Sequence, residues 1–127
     1  MENNYLLDTN ILIYYFNGIF TKDNTGIDTL IETSFTVSII TKIEFLGWAG
    51  FKEAKLYTKA KEFIDNAVVL YIDDAIAEEA IQIRKEHKVK TPDAIIAATA
   101  RVNDLGLATT NIDDFKNLNL MLLNPLS

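Results

Sequence analysis

Four short polar motifs in this 127-residue chain carry side chains that could hold a metal ion. Asp8 stands in Leu-Leu-Asp-Thr-Asn, Glu44 in Ile-Glu-Phe and Asp93 in Thr-Pro-Asp-Ala, while Asn111 and Asp114 share the segment Thr-Thr-Asn-Ile-Asp-Asp. Carboxylate and amide oxygens are the ligands that hard cations such as Mg²⁺ and Mn²⁺ prefer. One or two such ions could orient a phosphodiester, lower the pKa of an attacking water and neutralise the leaving oxygen. The motifs therefore favour metal-assisted hydrolysis.

Asp8 and Asp93 also have ordinary structural explanations, which the sequence leaves open. Asp8 precedes a helical pattern and could serve as its N-cap. Asp93 follows Thr91, the expected N-cap of a late helix, and Pro92, its expected first residue, so the acid could simply complement the helix dipole. That helix is almost wholly apolar, however, and must be buried nearly all round. Its acid would then project from a core element towards one edge of the fold.

Glu44 and the late acidic segment are open to two interpretations in the same way. Glu44 shares a helical side with Trp48 and has no Lys or Arg three or four residues away. A carboxylate in apolar surroundings is unfavourable unless a metal or a distant cation compensates, and an exposed edge position is the alternative. Asp113 is expected to be a solvated turn residue. Asn111 could be a neutral ligand, and Asp114 could bind a metal through water.

Short apolar runs alternate with helical patterns along the whole chain, and no linker or repeat divides it. This alternation predicts one α/β domain over residues 1–127, with a largely parallel sheet covered by helices on both faces. Gly106 is expected to cap the last long helix. Strands are predicted at residues 5–7, 35–38, 68–72, 107–109 and 120–123, and helices at 11–16, 23–32, 39–49, 51–65, 74–86 and 92–104. Since ligands gather outside the carboxyl ends of parallel strands, the polar motifs are expected to meet there.

Composition excludes several other kinds of chemistry. The chain has no cysteine, which removes disulfides, thiol nucleophiles and cysteine-bound zinc. Its only histidine, His87, lies in the charged run Arg-Lys-Glu-His-Lys and is expected on a solvated helix face. No apolar run approaches the roughly 20 residues that cross a bilayer, and the beginning of the chain lacks the pattern of a signal peptide. A cytoplasmic protein without a membrane segment is expected.

The net charge of −6 argues against a protein that coats nucleic acid through bulk attraction. Basic residues nevertheless form two groups, which could contact phosphates or could form solvated helix faces. The groups are Lys42, Lys52, Lys55, Lys59 and Lys61, and Arg84, Lys85, Lys88 and Lys90 just before Asp93.

The four polar motifs, in this order and over essentially the whole chain, resemble those of PIN domains, and especially of the VapC toxins of toxin–antitoxin pairs. The resemblance implies a three-layer α/β fold, with a parallel sheet of about five strands flanked by helices, and a metal-dependent endoribonuclease using Mg²⁺ or Mn²⁺. It places the catalytic, metal-binding acids at Asp8, Glu44 and Asp93, with weaker ligands at Asn111 and Asp114. Many relatives have Asp where Asn111 stands, so a second metal is expected to bind weakly. The resemblance also implies an RNA substrate, a cognate antitoxin and a homodimer.

Other α/β enzymes fit the sequence less well. A haloacid-dehalogenase-type phosphatase would have a second Asp where this chain has Asn10, and a receiver domain would have paired acids and a late Lys. The five glycines are scattered, so no Gly-rich phosphate loop is present. The serious alternative is a catalytically impaired PIN-like binding protein that acts through a protein partner. Intact Asp8, Glu44 and Asp93 argue against it, whereas Asn111 leaves room for it.

Overall fold

The parallel sheet predicted from the sequence is present in the structure, a computed structural model. Its strands are β1 (Tyr5–Leu7), β2 (Thr36–Ser38), β3 (Val68–Leu70), β4 (Gly106–Ala108) and β5 (Leu122–Leu123). Every neighbouring pair is parallel, and the order across the sheet is β3-β2-β1-β4-β5. β2 and β3 therefore lie on one side of β1, and β4 and β5 lie on the other. The point between β1 and β4 is where this order reverses, and such switch points open a crevice at the carboxyl edge of a sheet.

Helices connect the strands, as the alternating pattern predicts. The structure describes residues 4–18, 26–48 and 53–126. Two predicted helix starts, near Asp23 and Phe51, therefore lie outside the described residues. Lys52 of the first basic group lies outside them as well. No helix in these ranges is long and apolar enough to cross a membrane. The helices are α1 (Thr9–Phe16), α2 (Ile27–Thr33), α3 (Ile39–Leu46), α4 (Ala54–Ile64), α5 (Asp74–Glu86), α6 (Thr91–Val102) and α7 (Ile112–Phe115).

Successive residues of the central strand face opposite sides of the sheet, and each side has its own core. Leu6 packs with α5 and α6 on one side. Leu7 packs on the other, where Phe45 and Phe63 belong to an aromatic group with ring centroids 5.9 Å apart. Because helices cover both faces of the sheet, apolar residues run continuously through β1 and β4 instead of alternating with polar ones. The α/β class with a five-stranded parallel sheet is confirmed.

The late part of the chain differs from the prediction in three places. Gly106 was expected to cap α6, but it opens β4; Asn103 caps the helix, and Asp104 takes the left-handed backbone conformation with φ of 55°. Gly106 is required for space, since a Cβ there would lie 2.6 Å from the Tyr5 ring. Lys90, and not Thr91, is the N-cap of α6. The segment expected to be a loop before β5 contains the short helix α7.

The buried side of α3 and the position of β3 also differ from the prediction. The apolar pattern of residues 39–49 places Ile43 on one helical side with Ile40 and Leu46, but Ile43 is 61% exposed, whereas Thr41 and Phe45 are buried. The Ser38 side chain accepts a hydrogen bond from the Ile40 backbone N–H, so the helix begins directly at the end of β2 and its rotation is set there. The apolar run at residues 68–72 predicts a clearly buried strand, but β3 is an edge strand with Val68 largely exposed.

Candidate functional site

Asp8 lies immediately after the central strand, at the switch point of the sheet. It is the N-cap of α1, and its carboxylate accepts hydrogen bonds from the Thr9 backbone N–H at 2.8 Å and the Asn10 side-chain amide at 3.2 Å. A third hydrogen bond comes from the Thr109 hydroxyl at 2.7 Å. The cap and active-site interpretations of Asp8 are therefore compatible, because a capping carboxylate also stands at the carboxyl edge.

Thr109 and Asn10 join the end of β4 to the start of α1. Thr109 is fully buried, and its hydroxyl accepts a hydrogen bond from the Asn111 backbone N–H at 3.0 Å while donating to Asp8. The Asn10 side-chain oxygen accepts from the Thr110 backbone N–H at 3.2 Å, and its amide group also reaches the Thr109 hydroxyl at 3.4 Å. The loop that carries Asn111 is thus fixed relative to Asp8 by side chains from both motifs.

Glu44 comes to this site from α3 through a hydroxyl of α1. The Thr9 hydroxyl donates to the Glu44 carboxylate at 2.6 Å and lies 3.4 Å from the Thr41 hydroxyl. Glu44 is exposed, so the apolar surroundings considered from the sequence are wrong and the edge position is correct. Because Glu44 is exposed, water or a bound ion can solvate its carboxylate.

Asp93, in the first turn of α6, completes an acidic cluster with the other two carboxylates. Burial raises the pKa of Asp93, and the charges of Asp8, Asp114 and Glu44 raise it further, while Lys90 lowers it. Burial also raises the pKa of Asp8; Glu44 adds to this increase, and the hydrogen bonds from Thr109, Thr9 and Asn10 oppose it. The structure therefore brings together the three acids expected to be catalytic and Asp114, which was expected to be a weaker ligand.

The remaining predicted ligand, Asn111, is less closely tied to the cluster. It is exposed and occupies the N-cap position of α7, but its side chain makes no capping hydrogen bond. Its link to the acids runs through the backbone N–H that donates to Thr109. Asp113 is exposed and lies 3.5 Å from the Lys116 ammonium, in agreement with a solvated turn residue. Asp114 lines a cavity together with Asp93.

The chemistry of this cluster fits a divalent cation. Its side chains offer hard oxygen ligands, and burial together with the charges of the other acids raises the pKa of Asp93, so an added positive charge would be stabilised. Among the described residues, no three His, Cys, Asp or Glu side chains form a ready-made metal cage. That arrangement is compatible with Mg²⁺, which keeps several waters and commonly meets only one or two carboxylates. Asp8, Glu44 and Asp93 are the residues that could hold it.

Three polar residues of this site were not singled out from the sequence: Thr9, Asn10 and Thr109. Thr and Asn are common in turns and caps, so their type alone gives no signal. The expected burial of Asp8 could have pointed to two of them. A carboxylate that is only 6% exposed needs several donors, and the neighbouring Thr9 and Asn10 were the nearest ones in sequence. Thr109 could be found only once β4 was placed beside β1.

A parallel sheet with a carboxylate cluster at its switch point defines an α/β protein with an acidic site at the carboxyl edge. Residues 5–119 match the PIN domain, and the chain therefore belongs to the PIN domain family. A comparison with curated proteins found no match.

Several solved structures share this fold over nearly their whole length. A chain from a toxin–antitoxin complex of Klebsiella pneumoniae is 31% identical, with a TM-score of 0.77, and the match covers 96% of this chain and 98% of that one. FitAcB from Neisseria gonorrhoeae is 25% identical, with a TM-score of 0.71 and coverage of 95% and 97%. DNA-bound VapBC from Salmonella typhimurium, at 24% identity, a TM-score of 0.79 and coverage of 97% and 98%, shows the same fold. The predicted resemblance to PIN domains is confirmed.

Proposed function

We propose that this chain is a metal-dependent endoribonuclease and the toxin of a toxin–antitoxin pair. The observation that carries the proposal is the acidic cluster of Asp8, Glu44, Asp93 and Asp114, in which the charges of the other three acids raise the pKa of Asp93. Membership of the PIN domain family supports nuclease chemistry at such a cluster. The Klebsiella pneumoniae relative, which comes from a toxin–antitoxin complex, supports the biological role.

In this proposal Asp8, Glu44 and Asp93 hold Mg²⁺ or Mn²⁺, and Asn111 and Asp114 are weaker ligands. When bound, the metal supplies Lewis acidity, which lowers the pKa of water and neutralises charge on the phosphodiester. The other residues keep the carboxylates in place. Thr109 and the Thr9 backbone stabilise the charged form of Asp8, because hydrogen bonds to a carboxylate favour ionisation. The Thr9 hydroxyl orients Glu44 at the same edge.

The proposed partner is a cognate antitoxin that binds the toxin and inhibits cleavage. The Klebsiella pneumoniae relative, 31% identical over nearly the whole chain, comes from a toxin–antitoxin complex, which supports a partner of this kind. The homodimer and the cytoplasmic location expected from the sequence stay predictions.

The test is cleavage of RNA by the purified chain, freed from any antitoxin by denaturation and refolding. We expect cleavage with Mg²⁺ or Mn²⁺, none with EDTA, and none by Asp8→Asn or Asp93→Asn at any metal concentration. Asp104→Asn is the matched control, because it removes the same charge from the loop that enters β4 at the opposite edge of the sheet. Asn also tolerates the left-handed backbone of that position.

Two results would contradict the nuclease proposal. One is cleavage that persists at wild-type rate in Asp93→Asn after contaminating ribonuclease has been excluded by co-purification of activity with the chain. The other is a folded wild-type protein that binds Mn²⁺ and an antitoxin but cleaves no RNA. The second result would identify the impaired PIN-like binding protein, for which the neutral Asn111 leaves room.

A further inference from the structure

A basic connection borders the acidic cluster. The chain between α5 and α6 carries Lys88 and Lys90, both exposed, and both line a cavity of about 270 Å³. Asp93 and Asp114 of the acidic cluster line the same cavity. Positive and negative side chains therefore share one concave surface next to the proposed metal position.

The positions of the two lysines are fixed by the backbone around them. Val89 packs against the core between them, and its carbonyl accepts a hydrogen bond from Arg84 Nε at 3.2 Å. The Lys90 carbonyl accepts from the Ala94 backbone N–H at 2.9 Å, which ties it to the first turn of α6. Arg84 is thus used to hold the connection, whereas the lysine side chains extend from an anchored backbone.

The ammonium groups of these lysines are available to a ligand. Within residues 4–18, 26–48 and 53–126, the ion pairs closer than 4 Å are those of Arg101 with Glu79 and Lys116 with Asp113, and neither involves Lys88 or Lys90. The whole chain carries a charge of −6, so bulk attraction would not bring a polyanion to this surface. A nucleic-acid backbone that passes the acidic cluster would need positive charge nearby to offset the repulsion, and this pair of lysines supplies it.

We propose that Lys88 and Lys90 form a phosphate-binding subsite that holds the backbone of single-stranded RNA next to the phosphodiester at the acidic cluster. The proposal deepens the proposed function and rests on it for the identity of the nucleic acid. Lysine binds phosphate as a point charge and needs no fixed hydrogen-bond geometry. The contact is therefore expected to be independent of base sequence and to depend strongly on salt.

The test measures binding of a fluorescein-labelled 12-nucleotide RNA of mixed sequence by fluorescence anisotropy. Ca²⁺ replaces Mg²⁺, because it takes the same oxygen ligands, and a gel confirms that the probe stays uncut. Lys88→Gln combined with Lys90→Gln is compared with wild type. The matched control is Lys55→Gln combined with Lys59→Gln, which removes the same net charge from exposed lysines of α4. This helix packs on the face of the sheet opposite α6, and neither of its lysines lines the cavity. Circular dichroism verifies that both variants are folded.

Losing two phosphate contacts should make the slope of log affinity against log salt shallower by about 1.4, at about 0.7 for each contact with a single strand. If the plots of wild type and the double variant meet near 1 M salt, this difference in slope corresponds to a difference in affinity of about 25-fold at 0.1 M salt. We therefore expect RNA affinity to fall about 25-fold at 0.1 M salt in the Lys88 and Lys90 double variant. The control is expected to stay within about twofold of wild type.

Parallel salt plots for wild type and the Lys88 and Lys90 double variant would overturn the subsite, as would an equal loss in the control. The two proposals fail separately. A wild-type protein that cleaves RNA with an unchanged salt slope in the double variant would keep the nuclease and remove the subsite. A wild-type protein that cleaves nothing but shows the expected change of slope would keep the subsite and remove the nuclease.

Discussion

Thr109→Val removes one hydroxyl from the centre of the acidic site and keeps a β-branched side chain of nearly the same volume. Thr109 is fully buried, so the substitution leaves packing almost unchanged. Three interactions are lost: the 2.7 Å hydrogen bond to Asp8, the 3.0 Å hydrogen bond from the Asn111 backbone N–H and the longer one, 3.4 Å, from the Asn10 side-chain amide. Asn111 is exposed, so water can replace its partner, whereas Asp8 is only 6% exposed. The loss is therefore expected to fall mainly on Asp8.

A hydrogen bond to a charged group typically contributes about 1.5–3 kcal/mol. We expect Thr109→Val to lower the free energy of unfolding by about 2 kcal/mol at pH 7 without metal, which corresponds to a fall in Tm on the order of 5–10 °C.

The loss should depend on pH, because the Thr109 hydroxyl lowers the pKa of Asp8 and its removal raises that pKa further. An acid whose folded pKa is above its unfolded value destabilises the fold when it is ionised. That destabilisation disappears as the pH falls through the folded pKa and the acid becomes protonated. The difference between Thr109→Val and wild type should therefore be largest at pH 7 and smaller near pH 4.5.

Urea unfolding in EDTA at both pH values measures the effect. Thr99→Val is the matched control, since Thr99 is also buried but donates its 2.7 Å hydrogen bond to the neutral Ile95 carbonyl. Thr109→Ser restores the hydroxyl and is expected to recover the pH dependence of wild type. A loss that is the same at pH 7 and pH 4.5, or no greater than that of Thr99→Val, would show that Thr109 does not stabilise the ionised Asp8.

Three further predictions follow from the same charges. Metal-free wild type should gain stability from Asp8 and Asp93 as the pH falls from 7 towards their ordinary pKa of 3.8, because both folded pKa values are raised. Differential scanning calorimetry in EDTA measures the Tm over this range. A Tm that changes with pH equally in Asp8→Asn and in wild type would contradict the contribution of Asp8. Asp93→Asn should raise the free energy of unfolding of the metal-free protein by up to about 1 kcal/mol at pH 7, since it relieves repulsion at a half-exposed site. Urea unfolding measures this, and a lower free energy of unfolding in the variant would show that the Asp93 carboxylate stabilises the fold. In calorimetric Mn²⁺ titrations Asn111→Asp should bind more tightly than wild type and Asp114→Asn more weakly, whereas equal affinities in all three proteins would exclude this loop from the metal site.

The elements that position the site could be predicted because their patterns are local. The apolar run at Tyr5–Leu7 ends in Asp8, and the predicted helix of residues 74–86 agrees with α5 at both ends. Asp8 follows β1 directly, and α6 runs back to the start of β4, so its first turn, with Asp93, was expected at the same carboxyl edge. The motifs alone left cap and helix-dipole explanations open for these two acids, and the full set of acids came from the resemblance to PIN domains.

The contacts within the site could not be predicted, because they join distant parts of the chain. Thr109 and Asp8 are separated by 101 positions, and Thr9 and Glu44 by 35. The exposure of Glu44 stayed open because the rotation of α3 is set where the helix begins at the end of β2, and no periodicity in eight residues fixes that start. Gly106 was misassigned because its need for space comes from Tyr5 on the neighbouring strand, whereas a glycine after a helix usually signals a cap.

The balance of interactions at Asp8 connects the fold to the proposed chemistry. The N-cap position and three hydrogen bonds stabilise the ionised carboxylate, but burial and the charge of Glu44 outweigh them, because the pKa is still raised. The metal-free fold therefore carries an unfavourable term at neutral pH that a divalent cation would remove. Binding energy then appears as folding stability, since the unfolded chain has no such cluster. Mn²⁺ should accordingly raise the Tm of wild type more than that of Asp8→Asn, which lacks the charge that the cation would neutralise.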